Sequence, residues 1–173
     1  MADTLIKKLE LIPYPGKAGY FFKETYRSSA VVKPLSDSRI REERSAITTI
    51  YLLLTRNVKY GIWHQLKSEE TFFHHRGNSV RIAIINAEGK MDIVTVGDGF
   101  TKVGALFHYT VPANCWFNFA LSDDGNEDHG LFGIAVAPGF EIYDRAMKES
   151  ERLAEEFPQH KVAIEAFTDK NKV

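Results

Sequence analysis

From residue 46 to residue 137 the chain alternates short apolar runs with turn residues. Ala46–Leu54, Gly61–Leu66, Glu70–Arg76, Ser79–Asn86, Met91–Val96, Ala105–Val111, Cys115–Leu121 and Leu131–Ala137 each read as a strand. Gly, Asn, Asp or Pro marks nearly every junction, as in Asn86-Ala-Glu-Gly89, Gly97-Asp-Gly99 and Pro112-Ala-Asn114. An earlier run, GYFFKETYR from Gly19 to Arg27, alternates aromatic and polar residues in the same way. Many short strands at this spacing predict an antiparallel sandwich or barrel. The ends of the chain change period. Residues 3 to 12 predict a short helix with Asp3 or Thr4 as N-cap and Leu5, Ile6, Leu9 and Ile12 on its apolar face, stopped by Pro13, Pro15 and Gly16. Asp144 to Phe157 has the composition of an exposed amphipathic helix, and Thr168 to Val173 reads as a frayed tail. Ser28 to Glu43 is a polar connection. Arg39, Arg41 and Arg44 cluster around it as a solvated segment that can meet a phosphate if it lies at a pocket mouth.

One stretch carries more chemistry than the rest. WHQLKSEETFFHHRG, Trp63 to Gly77, reads as two strands joined by a tight turn at Lys67 to Glu69. His64, Leu66, Glu70, Phe72 and His74 share one parity, and strand side chains alternate faces, so all five are expected on the interior side. An imidazole, a carboxylate and a second imidazole on one face can bind a metal, move a proton or hold a polar ligand.

Length and charge narrow the classes. At 173 residues a single domain is the default, long enough to bury roughly 70% of its unfolded surface. A net charge of −1 with both signs interspersed offers no broad basic field, which excludes nucleic acid as an expected partner. The start, MADTLIKKLELIPYPG, has no signal-peptide core, and no run approaches the ~18 apolar residues of a spanning helix, so a soluble, cytoplasmic protein without membrane association is expected. The single cysteine, Cys115, has no partner for a disulfide or a cysteine-built zinc site and reads as core.

The spacing His64, one residue, Leu66, three residues, Glu70, six residues, Gly77 follows the first motif of the cupin superfamily. With PGKAGYFFKETYRS at Pro15 to Ser28, TTIYLLL at Thr48 to Leu54, VPANCWF at Val111 to Phe117 and VAPGFE at Val136 to Glu141, the chain resembles the cupin-5 family, a domain of unknown function. The resemblance implies an all-β double-stranded β-helix, the jelly-roll barrel, with a short N-terminal and a C-terminal helix. It also exposes two departures. Leu66 and Phe117 stand where metal-binding cupins carry histidines, so only His64 and Glu70 of the usual four ligands remain, and no metal or other cofactor is expected.

What the resemblance implies for function is a metal-independent cupin that binds a small molecule: a nucleotide, a nucleotide sugar or a sugar phosphate. It is similar to metal-free sugar-nucleotide epimerases, in which an inward histidine takes a proton beside a ketone. Here His64 is the candidate base, its pKa raised by Glu70, and His74, Tyr20 or Tyr26 the candidate proton donor. Arg27 is a candidate phosphate contact beside Glu24, with Thr48 and Ser68 as hydroxyl donors; Glu24 and Arg27 equally form a structural ion pair. Tyr20, Phe22, Phe72 and Phe117 are candidates for an aromatic wall against a base or sugar ring. A non-catalytic sensor and a metal-dependent isomerase or dioxygenase are the alternatives. A homodimer is expected by analogy.

Overall fold

The computed structural model describes residues 1–15, 20–33, 40–57, 60–123 and 125–168. Arg39, the Gly16 helix stop and most of the expected C-terminal tail lie outside them. Among the described residues the order is α1 (Ala2–Leu9), β1 (Ile12–Pro13), β2 (Phe21–Arg27), β3 (Val31–Val32), β4 (Arg44–Ser45), β5 (Thr48–Thr55), β6 (His64–Leu66) and β7 (Glu69–Gly77). β8 (Val80–Ile85), β9 (Met91–Val96), β10 (His108–Val111), β11 (Trp116–Leu121), β12 (His129–Ala137), β13 (Arg145–Met147), α2 (Ser150–Glu156) and α3 (Lys161–Ala166) follow.

Two sheets face each other. One runs β1-β2-β5-β12-β7-β10 and the other β13-β6-β11-β8-β9, with β3 and β4 as a separate pair. The crossing order is that of a jelly roll, the all-β architecture expected from the turn spacing. Leu52, Phe72, Ile82, Phe117, Phe132 and Ile134 from both sheets fill the space between. Among the described residues no helix is long and apolar enough to cross a membrane.

Outside the sandwich, the helices cover what the strands leave apolar. Trp63, Ala83 and Ile85 on the back of the five-stranded sheet pack under Leu153, Ile164 and Phe167, and Trp116 joins them with the Lys148 ammonium 4.4 Å above its ring. Fully burying each of the large side chains here contributes about 1.5–3 kcal/mol. On the other flank α1 lays Leu5, Ile6 and Leu9 over Leu53 and Leu131.

Three local features depart from the sequence expectation and shape the interior. Strand β2 pairs Glu24 with Ile50 and then Tyr26 with Thr49, a β-bulge that leaves Thr25 as the extra residue. The bulge flips the parity that follows. Tyr26 therefore turns out to solvent, 55% exposed, while Arg27 turns in opposite Thr48. Second, the region beginning at Asp144 does not enter a helix. Ile142–Asp144 forms one 3₁₀ turn, and Arg145–Met147 adds strand β13 to the edge of β6, so the helix begins only at Ser150. Third, Arg44 is not a solvated loop cation. Its side chain is buried and forms a two-bond pair with Asp144, Nε to Oδ2 at 2.7 Å and Nη2 to Oδ1 at 3.1 Å.

Gly77 closes β7 with φ of +82°, and a Cβ there would lie 2.3 Å from the His129 carbonyl oxygen. That is why the motif starting at His64 ends on glycine.

Candidate functional site

Reading across the six-stranded sheet gives the interior its coordinates. Directly paired residues point to the same side, so Arg27, Thr48, Val136, Glu70 and Val111 form one inward row. Glu24, Ile50, Ile134, Phe72 and Tyr109 form the next row, and Phe22, Leu52, Phe132 and His74 the third. A cavity of about 320 Å³ opens over the first two rows and the Phe22–Leu52 end of the third, between them and β6, β11 and β13 of the facing sheet. Leu52, Leu66, Phe119, Ile134 and Val136 make much of its wall apolar, while Tyr20, His64, Glu70 and Arg145 bring polar groups to it and Tyr14, Glu24, Arg27, Thr48 and Glu141 add others.

His64 is held by its own strand. Its Nδ1–H donates to the Ile62 carbonyl at 2.6 Å, which fixes the tautomer and leaves Nε2 with the lone pair. Phe117, its partner across the ladder, packs on the ring with centroids 4.1 Å apart. Burial drives the imidazole pKa down to about 4; the Ile62 bond opposes this, and the Arg145 charge adds to it. Glu70 moves the other way. Burial raises its carboxyl to about 8, against a lesser pull from Arg145, so at neutral pH the group is mostly protonated and able to donate. The expected histidine–carboxylate pair is therefore not formed. The His64 ring bonds Ile62 rather than Glu70, and its pKa falls instead of rising because desolvation outweighs the Ile62 hydrogen bond and the Arg145 charge lowers it further.

Tyr20 borders the same space, its hydroxyl pKa raised far above the usual value, first by burial and then by Tyr14 beside it, so it remains an O–H donor at any working pH. Arg145 reaches in from β13. It is paired with Leu66 across the ladder, donates from Nη1 to the Tyr14 hydroxyl, and has its guanidinium carbon 5.4 Å from the Tyr14 ring centre.

At the mouth, Arg27 is fully engaged. Glu24 accepts two of its bonds, at 3.0 and 2.9 Å, Glu141 a third at 2.9 Å and the Phe140 carbonyl a fourth at 3.2 Å. The structural ion pair between Glu24 and Arg27 is present, and with Glu141 the group carries a net negative charge. Thr48 also lines the cavity, but its hydroxyl accepts the Phe140 amide at 2.9 Å.

Of the residues singled out from sequence, His64, Glu70, Tyr20, Phe22, Glu24, Arg27 and Thr48 meet around one cavity. The others do not line it. His74 sits four residues along β7 from Glu70, about 13 Å at strand rise, against Phe132 with Nε2 on the Gly77 carbonyl. Phe72 and Phe117 lie behind the wall, in the core with Phe119. Ser68 is buried in the β6–β7 turn, and Tyr26 faces outward. Tyr14 and Arg145 were not singled out. Tyr14 lies between the two prolines read as a helix stop, and a three-residue strand such as β13 has no period of its own.

The donor set does not fit a transition metal. Of the potential metal ligands lining the cavity among the described residues, the Glu24 and Glu141 carboxylates are held by Arg27, which leaves His64 Nε2 and Glu70, and Leu66 and Phe117 supply no lone pair. The three-residue grouping of potential ligands, Glu127, Asp128 and His129, lies at the opposite end of β12.

The profile of one protein family, described as cupin superfamily (DUF985), matches residues 3–148. The chain belongs to this cupin family. Two solved structures are similar along their whole length: a hypothetical protein from Leishmania major, 28% identical, covering 98% of this chain and 99% of that one with a TM-score of 0.86, and a Shewanella oneidensis protein, 28% identical, covering 97% of each with a TM-score of 0.80. A variant of the Streptomyces protein PAC13, described with uridine, is 15% identical over 82% of this chain and 86% of its own, TM-score 0.50, and shares the fold. No curated protein matches the chain.

Proposed function

We propose that this cupin binds a small molecule by a ring, without a metal, in the cavity between Tyr20, His64, Glu70 and Arg145. The reading rests on one observation: two titratable groups whose environments push their pKa values in opposite directions face the same enclosed space. At neutral pH His64 offers a lone pair and Glu70 a proton, the complementary arrangement that a polar ring with both donor and acceptor edges needs. The ligand classes named from sequence, a nucleotide, a nucleotide sugar or a sugar phosphate, enter with the ring against Tyr20 and Phe119. Any phosphate stays outside the mouth, because Arg27 is already occupied by Glu24 and Glu141.

A metal-stripped sample tests this directly. Incubated with EDTA and screened against nucleotides, nucleotide sugars, sugar phosphates and free bases, it should gain melting temperature with at least one class. A ligand at a hundred times its Kd adds about 2.7 kcal/mol, roughly 5–10 °C for a domain of this size. Stabilisation that requires added metal contradicts the reading.

Proton transfer is the enzymatic form of the same proposal, with His64 as base and Glu70 or Tyr20 as donor to the opposite face. Exchange of a proton beside the ketone of a keto-sugar nucleotide in D₂O, lost in His64→Asn, is its signature. One observation favours binding without turnover: a ring with pKa near 4 is a weak base at neutral pH. Absence of exchange with tight binding would decide for that second reading. A homodimer in the cytoplasm completes the proposal. Self-association is supported by Phe100 and Val103, both almost fully exposed, and size-exclusion chromatography checks it.

A further inference from the structure

We infer that the charged group this cavity takes is a single carboxylate on a flat ring, held by Arg145, and not a phosphate. The inference rests on the reading that the cavity binds a ring.

Among the described residues no carboxylate lies within salt-bridge distance of Arg145, and Glu70, which shares the cavity, feels its charge without pairing to it. Strand β13 turns Arg145 inward beside Leu66, and the acid next to it in the chain is out of reach, since Asp144 is taken by Arg44 at 2.7 and 3.1 Å and by Lys67 at 3.2 Å. Within that set the guanidinium hydrogen-bonds Tyr14, through one N–H to the hydroxyl, and lies over the face of that ring. Tyr14 satisfies one of five N–H donors and no charge. A partly buried guanidinium with four unused donors facing a cavity is a prepared site for an anion.

The charge count selects which anion. The mouth group of Arg27, Glu24 and Glu141 sums to −1, Arg145 adds +1, and protonated Glu70 and neutral His64 add nothing. A carboxylate balances Arg145 one for one and matches the planar fork of the guanidinium with two parallel bonds. A phosphate monoester carries about −1.5 to −2. Its second charge finds the other cation of the lining, Arg27, already held by Glu24 and Glu141, and faces those two carboxylates. The protonated Glu70 carboxyl can donate to the same carboxylate, and it would repel that ligand once ionised. Flatness follows from the walls. Leu52, Leu66, Phe119, Ile134 and Val136 present hydrocarbon, which suits a ring face better than a girdle of sugar hydroxyls.

Calorimetric titration of the metal-stripped protein at pH 7 with three probes separates the alternatives: uracil, orotate, which is the same ring bearing one carboxylate, and uridine 5′-monophosphate. Orotate is expected to bind at least tenfold tighter than either of the others. Arg145→Gln should erase the preference of orotate over uracil, and Arg145→Lys should restore part of it. A nucleotide that binds as well as orotate, or a preference that survives Arg145→Gln, overturns the inference. Equal binding of uracil and orotate overturns it too, while leaving the ring-binding reading intact. No binding by any probe at millimolar concentration removes both.

Discussion

Replacing Arg44 with methionine is the most informative single perturbation of the scaffold, because it reaches the site without touching it. Arg44 and Asp144 are 100 residues apart in the chain and meet with side chains 3% and 4% exposed. The pair anchors the turn that delivers Arg145 to the cavity, and Lys67, one residue past Leu66 of β6, is the only other cation on Asp144 among the described residues. Removing one partner of a buried pair leaves the other charged and desolvated, which typically costs about 3–5 kcal/mol. Lys67 retains part of the compensation, so a loss of about 3 kcal/mol is expected, lowering the urea midpoint by roughly 1–2 M. The double variant Arg44→Met/Asp144→Leu removes both charges and should recover most of that loss. The pH dependence has a definite sign. Burial raises the Asp144 carboxyl, but the hydrogen bonds and charges of Arg44 and Lys67 outweigh it and hold the pKa below 3.8. The pair's contribution is therefore complete above pH 3.8 and is lost as pH falls through the depressed native value, a loss that Arg44→Met should largely lack. Urea unfolding of the three proteins at pH 7 and at pH 3 measures all of this. A loss below about 1 kcal/mol for Arg44→Met, or a double variant no more stable than the single, would refute the reasoning.

Glu70→Gln should change the shape of the pH–stability curve. With the native carboxyl near 8 against an ordinary 4.5, the folded state holds a proton that the unfolded chain releases, so wild-type stability relative to the variant should fall by about 1.4 kcal/mol per pH unit from 4.5 to 8 and level off above. Parallel urea curves across that window would count against a protonated Glu70. Gly77→Ala meets both a positive φ and the His129 carbonyl, and should cost more than about 2 kcal/mol in a thermal melt; a variant that melts with the wild type would show that the turn relaxes freely.

Much of this fold was legible in the sequence because turn residues punctuate it and because short apolar runs mark the central strands. Trp63 to Gly77 is the best case: Leu66, Glu70 and Phe72 all turn inward as parity required. Parity failed where the ladder itself was irregular. The extra residue at Thr25 exchanged Tyr26 for Arg27, and a bulge is decided by the partner strand β5, which local sequence does not contain. His74 shows a different limit. Its side was read correctly, but depth along the barrel depends on which row a residue joins, and that follows from the pairing with β12. The region after Asp144 failed because charged residues such as Glu149, Glu151 and Arg152 have helical composition, whereas Arg145–Met147 pair only because the chain passes an open edge, that of β6. Arg145, which completes the cavity, was hidden with them. Charge alone groups Arg44 with Arg39 and Arg41, whereas its burial depends on an acid 100 positions away.

The account depends on a metal-free cavity that holds a neutral base and a neutral acid together at pH 7. Heteronuclear NMR of EDTA-treated protein carrying ¹⁵N-histidine and ¹³C-glutamate, titrated from pH 4 to pH 9, observes both groups at once. The account predicts His64 as the Nδ1–H tautomer, uncharged until the pH nears 4, and Glu70 protonated until it nears 8. An imidazolium at His64 with a carboxylate at Glu70 at neutral pH would contradict it.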